Sequence, residues 1–402
     1  MIRKLLTALL TLLFLSAEAE ESVFQLGVIN KWQHNKKDEP IVIDLKQLPV
    51  SFTVKSALVL NGTEEIASQL DDLNNDGCPD ELAFVLDMDA SSERILQIRL
   101  SSETSNNVYP SRVYAEMLLS EKNGKHQLIQ SLTTPGSSDV YNLLHHHGPA
   151  FESELVAYRI YFDRKQTVDI YGKFKKQLEI EASQFYPTDE QLARGFGDDV
   201  LRVSGSCGLG TLKGWNGSKA IHIEPVDTRT ETILATGPVR TIVDVIARGW
   251  EYEGNKRDMH VRYILYAGHR DCEVKVKWDK PLKDEVFAAG IQNIKGSVSH
   301  SDNKGLVACW GTDWPVNDTV KYAKETVGLA ISLPENVIGE QKNDLANYLY
   351  TVKGKGLQTF TYHINFTSRK ETFGYDTPEK WFAYVSEWKK SLQQPLVIEI
   401  KK

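Results

Sequence analysis

The sequence has no CxxC pair and only four cysteines in 402 residues: Cys78, Cys207, Cys272 and Cys309. Their wide spacing excludes a zinc knot built on paired thiols, and four thiols in so long a chain do not make a disulfide scaffold. Most read as free, buried thiols that pack as small hydrophobes. Also missing are a GxSxG elbow, an HExxH helix and a P-loop, the signatures of three large enzyme classes. Gly205-Ser-Cys-Gly-Leu-Gly210 has the wrong glycine spacing and no βαβ context for a dinucleotide turn. Cys207 within it is a weak candidate nucleophile. Excess positive charge is absent too: 47 Lys and Arg against 54 Asp and Glu leave a formal charge of −7, which argues against a nucleic-acid partner. No fixed-period repeat occurs, which disfavours a propeller or solenoid.

Only one long apolar run stands in the chain, and it is at the start. Arg3 and Lys4 precede the run Leu5–Leu15, and Ala17-Glu18-Ala19 follows with a small-x-small pattern. This order predicts a signal peptide over residues 1–19, cleaved near Ala19, and a periplasmic or secreted mature protein. The run is too short to span a bilayer comfortably, and no second one is long enough, so no integral membrane span is expected.

Strand signals dominate the remainder. In Cys272-Glu-Val-Lys-Val-Lys-Trp278, Cys272, Val274, Val276 and Trp278 share one face and the charged residues share the other, the mark of an antiparallel sheet with one wet face. Helices are few. Thr188-Asp-Glu-Gln191 has the form of a capping box, and Thr377-Pro378 begins a helix whose Trp381, Tyr384, Val385, Trp388 and Leu392 form a stripe that docks on the core. The expected fold is all-β: a large antiparallel sandwich with a few short helices and a C-terminal helix. An N-terminal β region over 20–135, which could be part of the same sandwich, precedes a main sandwich over 136–402.

Three stretches carry candidate chemistry. In Asp72-Leu-Asn-Asn-Asp-Gly-Cys-Pro-Asp80-Glu81, the side chains of Asp72, Asn74, Asp76 and Asp80 alternate around a glycine turn. They are candidate ligands for a structural calcium, although a bidentate glutamate at position twelve is missing. A plain Asx-rich turn explains the same residues. Next, His145-His146-His147 runs into Glu152 and Glu154, which combines imidazole and carboxylate near neutral pH. A polar turn is the alternative. The following strand carries Tyr158 on one face and Arg159 on the other. A cation among aromatics suits a carboxylate or sugar ring, and it equally suits a structural ion pair. Finally, Ser183–Asp199 and Ser204–Gly210 are too irregular for core. They read as a long loop laid over a sheet, where functional residues concentrate.

Tyr158-Arg-Ile-Tyr-Phe162, Asp169-Ile-Tyr-Gly172, Gln184-Phe-Tyr-Pro187, Gly197-Asp-Asp-Val-Leu201, Gly237-Pro-Val-Arg240 and the Trp381/Trp388 helix together resemble a secreted bacterial family catalogued as domain of unknown function 4861. The likeness covers most of the mature chain and is densest from His145 to Gly290. The resemblance implies a sandwich like that of galactose mutarotases and a role in polysaccharide breakdown, especially of uronate-containing glycans. It transfers no catalytic residue. It places the Asp72–Glu81 loop at the family's N-terminal turn, which favours the structural reading.

The reading that unites these features is an exported carbohydrate-active enzyme with an oligosaccharide or polysaccharide partner, acting by lyase or epimerase proton chemistry. His146 or His147 would be the base, Arg159 the stabiliser of the enolate and Glu152 an orienting group. His145, Tyr158, Gln184 and Asp198 would contact substrate. No cofactor beyond the candidate calcium is expected. A non-catalytic glycan-binding or scaffold protein on the same sandwich is the alternative. A deep cleft of convergent polar groups would favour catalysis, and a flat aromatic platform would favour binding.

Overall fold

The computed structural model describes residues 19–121 and 125–401. The apolar run and cleavage motif of the signal-peptide reading lie almost wholly outside them. Every pairing between strands of the described residues is antiparallel, as the alternating patterns require.

Two sheets make the N-terminal body. Glu21–Asn30 pairs with Ser92–Ser101 so that Leu26 faces Leu96, and Ser56–Asn61 and Glu64–Ile66 extend that sheet. Lys36–Asp44, Glu81–Met88 and Ser68–Asp71 form the second. The inward-facing apolar residues of the two sheets close on one core of Leu26, Val28, Ile41, Ile43, Leu82, Phe84, Leu96, Ile98 and Leu100. The last strand, Val397–Lys401, pairs beside the first, so both ends of the described chain meet in this body.

The main body is a nine-stranded sheet packed on two five-stranded sheets. The large sheet runs, edge to edge, Ser131–Pro135, Thr228–Thr236, Arg240–Tyr252, Asn255–Tyr266, Cys272–Trp278, Thr359–Ser368, Glu325–Ser332, Leu306–Asp313 and Val298–Ser301. One five-stranded sheet holds Val113–Glu116, Ala150–Ser153, Ala157–Ile160, Val168–Gly172 and Asp198–Asp199. The other holds Ala220–Ile221, Lys213–Trp215, Phe287–Gln292, Asn347–Val352 and Ile338–Asn343. Residues from all three sheets share one core, and Cys272, Val274, Val276 and Trp278 enter it on alternate positions as their pattern requires. All four cysteines are free; three are buried and Cys78 is exposed. The strands Val113–Glu116 and Ser131–Pro135 pair with strands of this main body.

The helix Pro378–Leu392 covers part of the large sheet. Thr377 Oγ1 accepts the N–H of Lys380 and Pro378 occupies the first position. Trp381, Val385 and Trp388 recur at helical spacing and bury against Leu306, Ala308 and Ala330. Gly328 lets the indole approach, because a Cβ there would lie 2.7 Å from Trp381 Nε1. The ring is fully buried and cannot swing aside. Gly328→Ala is therefore expected to destabilise the fold by about 1–3 kcal/mol, the usual cost of overpacking. Gly205→Ala, where a Cβ meets nothing within 4 Å, should leave the chemical-denaturation midpoint nearly unchanged.

Candidate functional site

The sheet that ends in Asp198–Asp199 has an unusually polar outer face. In an antiparallel ladder, residues directly opposite one another point to the same side. The pairs Ala150↔Glu116, Ala150↔Arg159, Glu152↔Ala157, Arg159↔Asp169, Ala157↔Tyr171 and Tyr171↔Asp199 therefore place Glu116, Glu152, Arg159, Asp169, Tyr171 and Asp199 on one face. The segment 174–197 lies over it, with Ile180 and Phe185 packed on Ala150, Ala157 and Tyr171. Charges so covered must be paired, since an isolated buried ion costs several kcal/mol.

Arg159 is the centre of the pairing. One terminal nitrogen contacts Asp169 Oδ2, Asp199 Oδ2 at 3.1 Å and the Tyr161 hydroxyl at 2.9 Å. The other donates to the Tyr186 hydroxyl at 2.9 Å. The guanidinium carbon lies 4.1 Å from the Phe185 ring centre and 4.8 Å from that of Tyr161. Both phenol oxygens accept from the cation, so their O–H groups are left to donate elsewhere. Burial raises both phenols above their ordinary range and keeps them protonated.

His147 reaches the same place by a tight turn. A Cβ on Gly148 would fall 1.8 Å from the Ile160 carbonyl oxygen, so only glycine lets the turn lie against the Arg159 strand. Phe162 N–H donates to His147 O at 2.8 Å and Ile160 N–H to Pro149 O at 3.0 Å, which fixes the approach. The His147 ring lies between Tyr141 and Tyr161, with centroids 4.0 and 5.9 Å away and planes within 16° and 11° of parallel. Its Nδ1 is 2.8 Å from the Tyr141 carbonyl. A carbonyl can only accept, so Nδ1 carries the proton and Nε2 keeps its lone pair. Burial, opposed by that hydrogen bond, lowers the imidazole below its ordinary value and favours this neutral form.

These groups line a cleft of about 550 Å³. Tyr141, His147, Arg159, Tyr161, Lys165 and Tyr186 make one wall. Asp199, Leu201 to Ser204, Gln292, Asp313 and the segment Pro315–Asn317 make the rest. Two partly exposed cations are present: Lys165, 3.2 Å from Asp163, and Arg202, 3.7 Å from Asp313.

Comparison with known proteins follows the same extent of chain. The family described as Domain of unknown function (DUF4861) matches residues 28–398. The chain belongs to that family. No curated protein is detectably similar to it. Among solved structures, a protein in the glycosyl hydrolase family 38 from Enterococcus faecalis is similar at 12% identity and a TM-score of 0.47, over 94% of this chain and 47% of that one. An α-mannosidase from Enterococcus faecalis V583 is similar at the same identity and TM-score, over 94% of this chain and 46% of that one. This family member thus spans less than half the length of either.

The residues singled out from the sequence divide sharply. His147 and Arg159 meet in the cleft, but Arg159 is only 2% exposed and its terminal nitrogens are taken up by carboxylates and phenols. It organises the wall and cannot also be a free enolate clamp. His146 is buried outside the cleft, with Nδ1 2.6 Å from the Gly148 carbonyl and Nε2 3.2 Å from Glu116. His145 stacks on His126 at 3.7 Å and touches Tyr186 edge-on. Glu152 is fully buried, paired with Lys173, and accepts the N–H groups of Glu179 and Ile180 at the start of the helix Ile180–Ser183. It anchors the covering segment and does not line the cleft.

Tyr158 points into the core, its hydroxyl donating to the Arg270 carbonyl. Gln184 ends the short helix in a left-handed conformation, with its N–H on Ile180 O. Asp198 faces away from the cleft, because neighbours on a strand alternate, and Asp199 takes the place expected of it. In the N-terminal loop, Asp72 accepts the N–H groups of Asn74, Asp76 and Gly77, and Asn74 accepts from Asp76. Asp76 accepts from Cys78, and Asp80 binds Lys46 at 2.5 Å. These are linked Asx turns. Among the described residues no group of three or more His, Cys, Asp or Glu is placed to hold a metal ion.

Reading the sequence by itself leaves out Tyr141, Lys165, Tyr186, Asp199, Arg202 and Asp313. The one available signal was strand alternation: Asp169 and Asp199 belong to motifs already singled out, and the aliphatic neighbours Val168, Ile170 and Val200 face the core on the opposite side.

Two outcomes follow. Glu152→Ala leaves Lys173 buried without its partner, and should cost about 3–5 kcal/mol in chemical denaturation. Second, burial beside His126 and His146 pushes His145 down to about 4 from its ordinary 6.5. Between those values the unfolded chain binds a proton that the native state does not. The contribution is full above pH 6.5 and is lost as pH falls towards 4. Relative to wild type, His145→Gln should therefore gain stability over that acid range, as read from denaturation midpoints.

Proposed function

We propose that this protein is an exported carbohydrate-active enzyme that abstracts the proton beside the carboxylate of a uronate-containing oligosaccharide, leading to β-elimination at the glycosidic bond. The observation that carries the reading is the neutral His147, its Nε2 unused by any described protein group, in a cleft that combines tyrosine rings with two partly exposed cations. Tyrosine faces suit the apolar C–H faces of sugar rings, and their hydroxyls suit sugar oxygens. A carbon-bound proton next to a carboxylate becomes removable only when the enolate is stabilised. Arg159 is already committed to its partners, so that task falls to Lys165 and Arg202. The signal-peptide pattern supports export, and the wide polar cleft suits a chain of sugars better than a small apolar ligand.

A panel of uronate polysaccharides and oligosaccharides tests the reading. Elimination creates a carbon–carbon double bond conjugated to the carboxylate, followed by its ultraviolet absorbance. His147→Ala should lower the rate by about 10²–10⁴-fold with an unchanged melting temperature. Deuterium exchange from solvent without a double bond would instead show epimerisation. Saturable binding with neither would leave a glycan-binding protein, to which the three tyrosine rings are equally suited.

A further inference from the structure

Elimination moves two protons. One leaves carbon for the base, and another must reach the departing oxygen, which is a poor leaving group as an alkoxide. His147 accounts for the first. The second needs an acid in the same cleft, and the polar sheet face supplies a candidate that the His147 reading does not use.

Asp199 sits at the end of that face, opposite Tyr171 and beside Asp169. Both carboxylates converge on one nitrogen of Arg159, Asp169 through Oδ2 and Asp199 through Oδ2 at 3.1 Å. One cation between two carboxylates in a covered site leaves a surplus negative charge, and the economical remedy is a proton on one of them. Asp169 is sealed, its side chain 1% exposed, while that of Asp199 is 13% exposed and lines the cleft. Asp169 makes the closer contact with Arg159 and accepts the Ile170 N–H at 2.9 Å, so its charge is the better held and the proton belongs on Asp199.

We propose that Asp199 is the acid of this cleft, giving its proton to the departing oxygen, and that Asp169 is its positioning residue. The proposal rests on the β-elimination reading. In the step, His147 Nε2 takes the proton from the carbon beside the carboxylate. The C–H electron pair becomes the new double bond, and the bond from the adjacent carbon to the glycosidic oxygen breaks with its pair on oxygen. That oxygen takes the Asp199 proton. Asp199 is left as a carboxylate held by Arg159 and by the Leu201 N–H, which donates to Oδ1 at 3.2 Å. Imidazolium and carboxylate then return to their starting forms by exchange with water, and no net proton is gained or lost.

The surroundings favour the acid form at neutral pH. Burial and the charge of Asp169 raise Asp199 well above the ordinary carboxylate range, opposed by Arg159 and the Leu201 N–H. Asp198 adds negative charge from the same strand, and Tyr161 and Tyr186 face the group as neutral phenols. His147, Lys165, Arg202 and Asp313 complete the cleft.

Two measurements test this. Infrared difference spectra of the full chain need no substrate: at pH 7 the wild type should show a protonated-carboxyl carbonyl band that Asp199→Asn lacks. Absence of that difference overturns the proposal, whatever the substrate. On the best polysaccharide from the uronate panel, Asp199→Asn should lose about 10²–10⁴-fold in rate. A uronate carrying a nitrophenol at the departing position should restore most of it, because a phenolate leaves without help. Asparagine matches the neutral acid in shape, so the melting temperature should hold. Asp169→Asn should move the alkaline limb of the kcat/KM profile to lower pH, because the charge that raises Asp199 is gone. Full elimination activity in Asp199→Asn overturns the proposal while leaving the elimination reading intact. An elimination-negative panel would sink that reading, and with it the acid role, even if the infrared band is present.

Discussion

A single guanidinium holds the cleft wall together. Arg159 is almost without solvent contact, yet it joins two strands, the covering segment and the strand at the sheet edge through Asp169, Tyr186 and Asp199. A buried cation is tolerated only where its partners are good, and here two carboxylates and two phenols surround its terminal nitrogens. Lysine, a point charge, could satisfy one carboxylate but not the two phenols as well. The geometry of the cleft is thus set by an ion cluster whose own stabilisation of the fold is modest and whose value is in fixing orientation.

Glu152 repeats the arrangement two residues along the next strand. It meets Lys173 and the start of a four-residue helix, too short to hold by itself, so the carboxylate substitutes for the missing turn by accepting two backbone N–H groups. Glu179 continues the chain of contacts, accepting from the Tyr171 hydroxyl and from Gly197 N–H. The covering segment is therefore pinned at 179–180 by Glu152, at 186 by Arg159 and at 197 by Glu179. These three polar anchors add to the apolar contacts that Ile180 and Phe185 make with Ala150, Ala157 and Tyr171.

The fold was legible because its signals are local. Period-two patterns such as Cys272–Trp278, the Thr188 capping box and the Trp381/Val385/Trp388 stripe each depend on residues within one element, and each forms as its pattern requires. The cleft was legible only in part. His147 and Arg159 stand close in sequence, so their meeting could be anticipated. Which histidine of three faced it depended on the turn at Gly148, and which aspartate of Asp198-Asp199 depended on a two-residue strand with no pattern of its own. The roles of Glu152 and Arg159 failed for a shared reason. Sequence shows that a charge is present, whereas only the fold shows that a covering segment has taken it out of water.

That burial also explains why a histidine and a carboxyl could divide the proton work at one pH. The polar face ends at the cleft, so charge balance inside the layer is settled by the last group before solvent. Arg159 neutralises one carboxylate, and the second, at the open end, meets a surplus it can relieve by staying protonated. On the facing turn the opposite holds. Among the described residues His147 has no carboxylate in hydrogen-bond contact; its one fixed partner there is a carbonyl, and its neighbours are aromatic rings and cations, which favour the neutral base. A carboxyl made more basic and an imidazole made less basic are drawn towards the same pH from opposite sides. Each then holds, before a substrate arrives, the proton state that the proposed elimination requires.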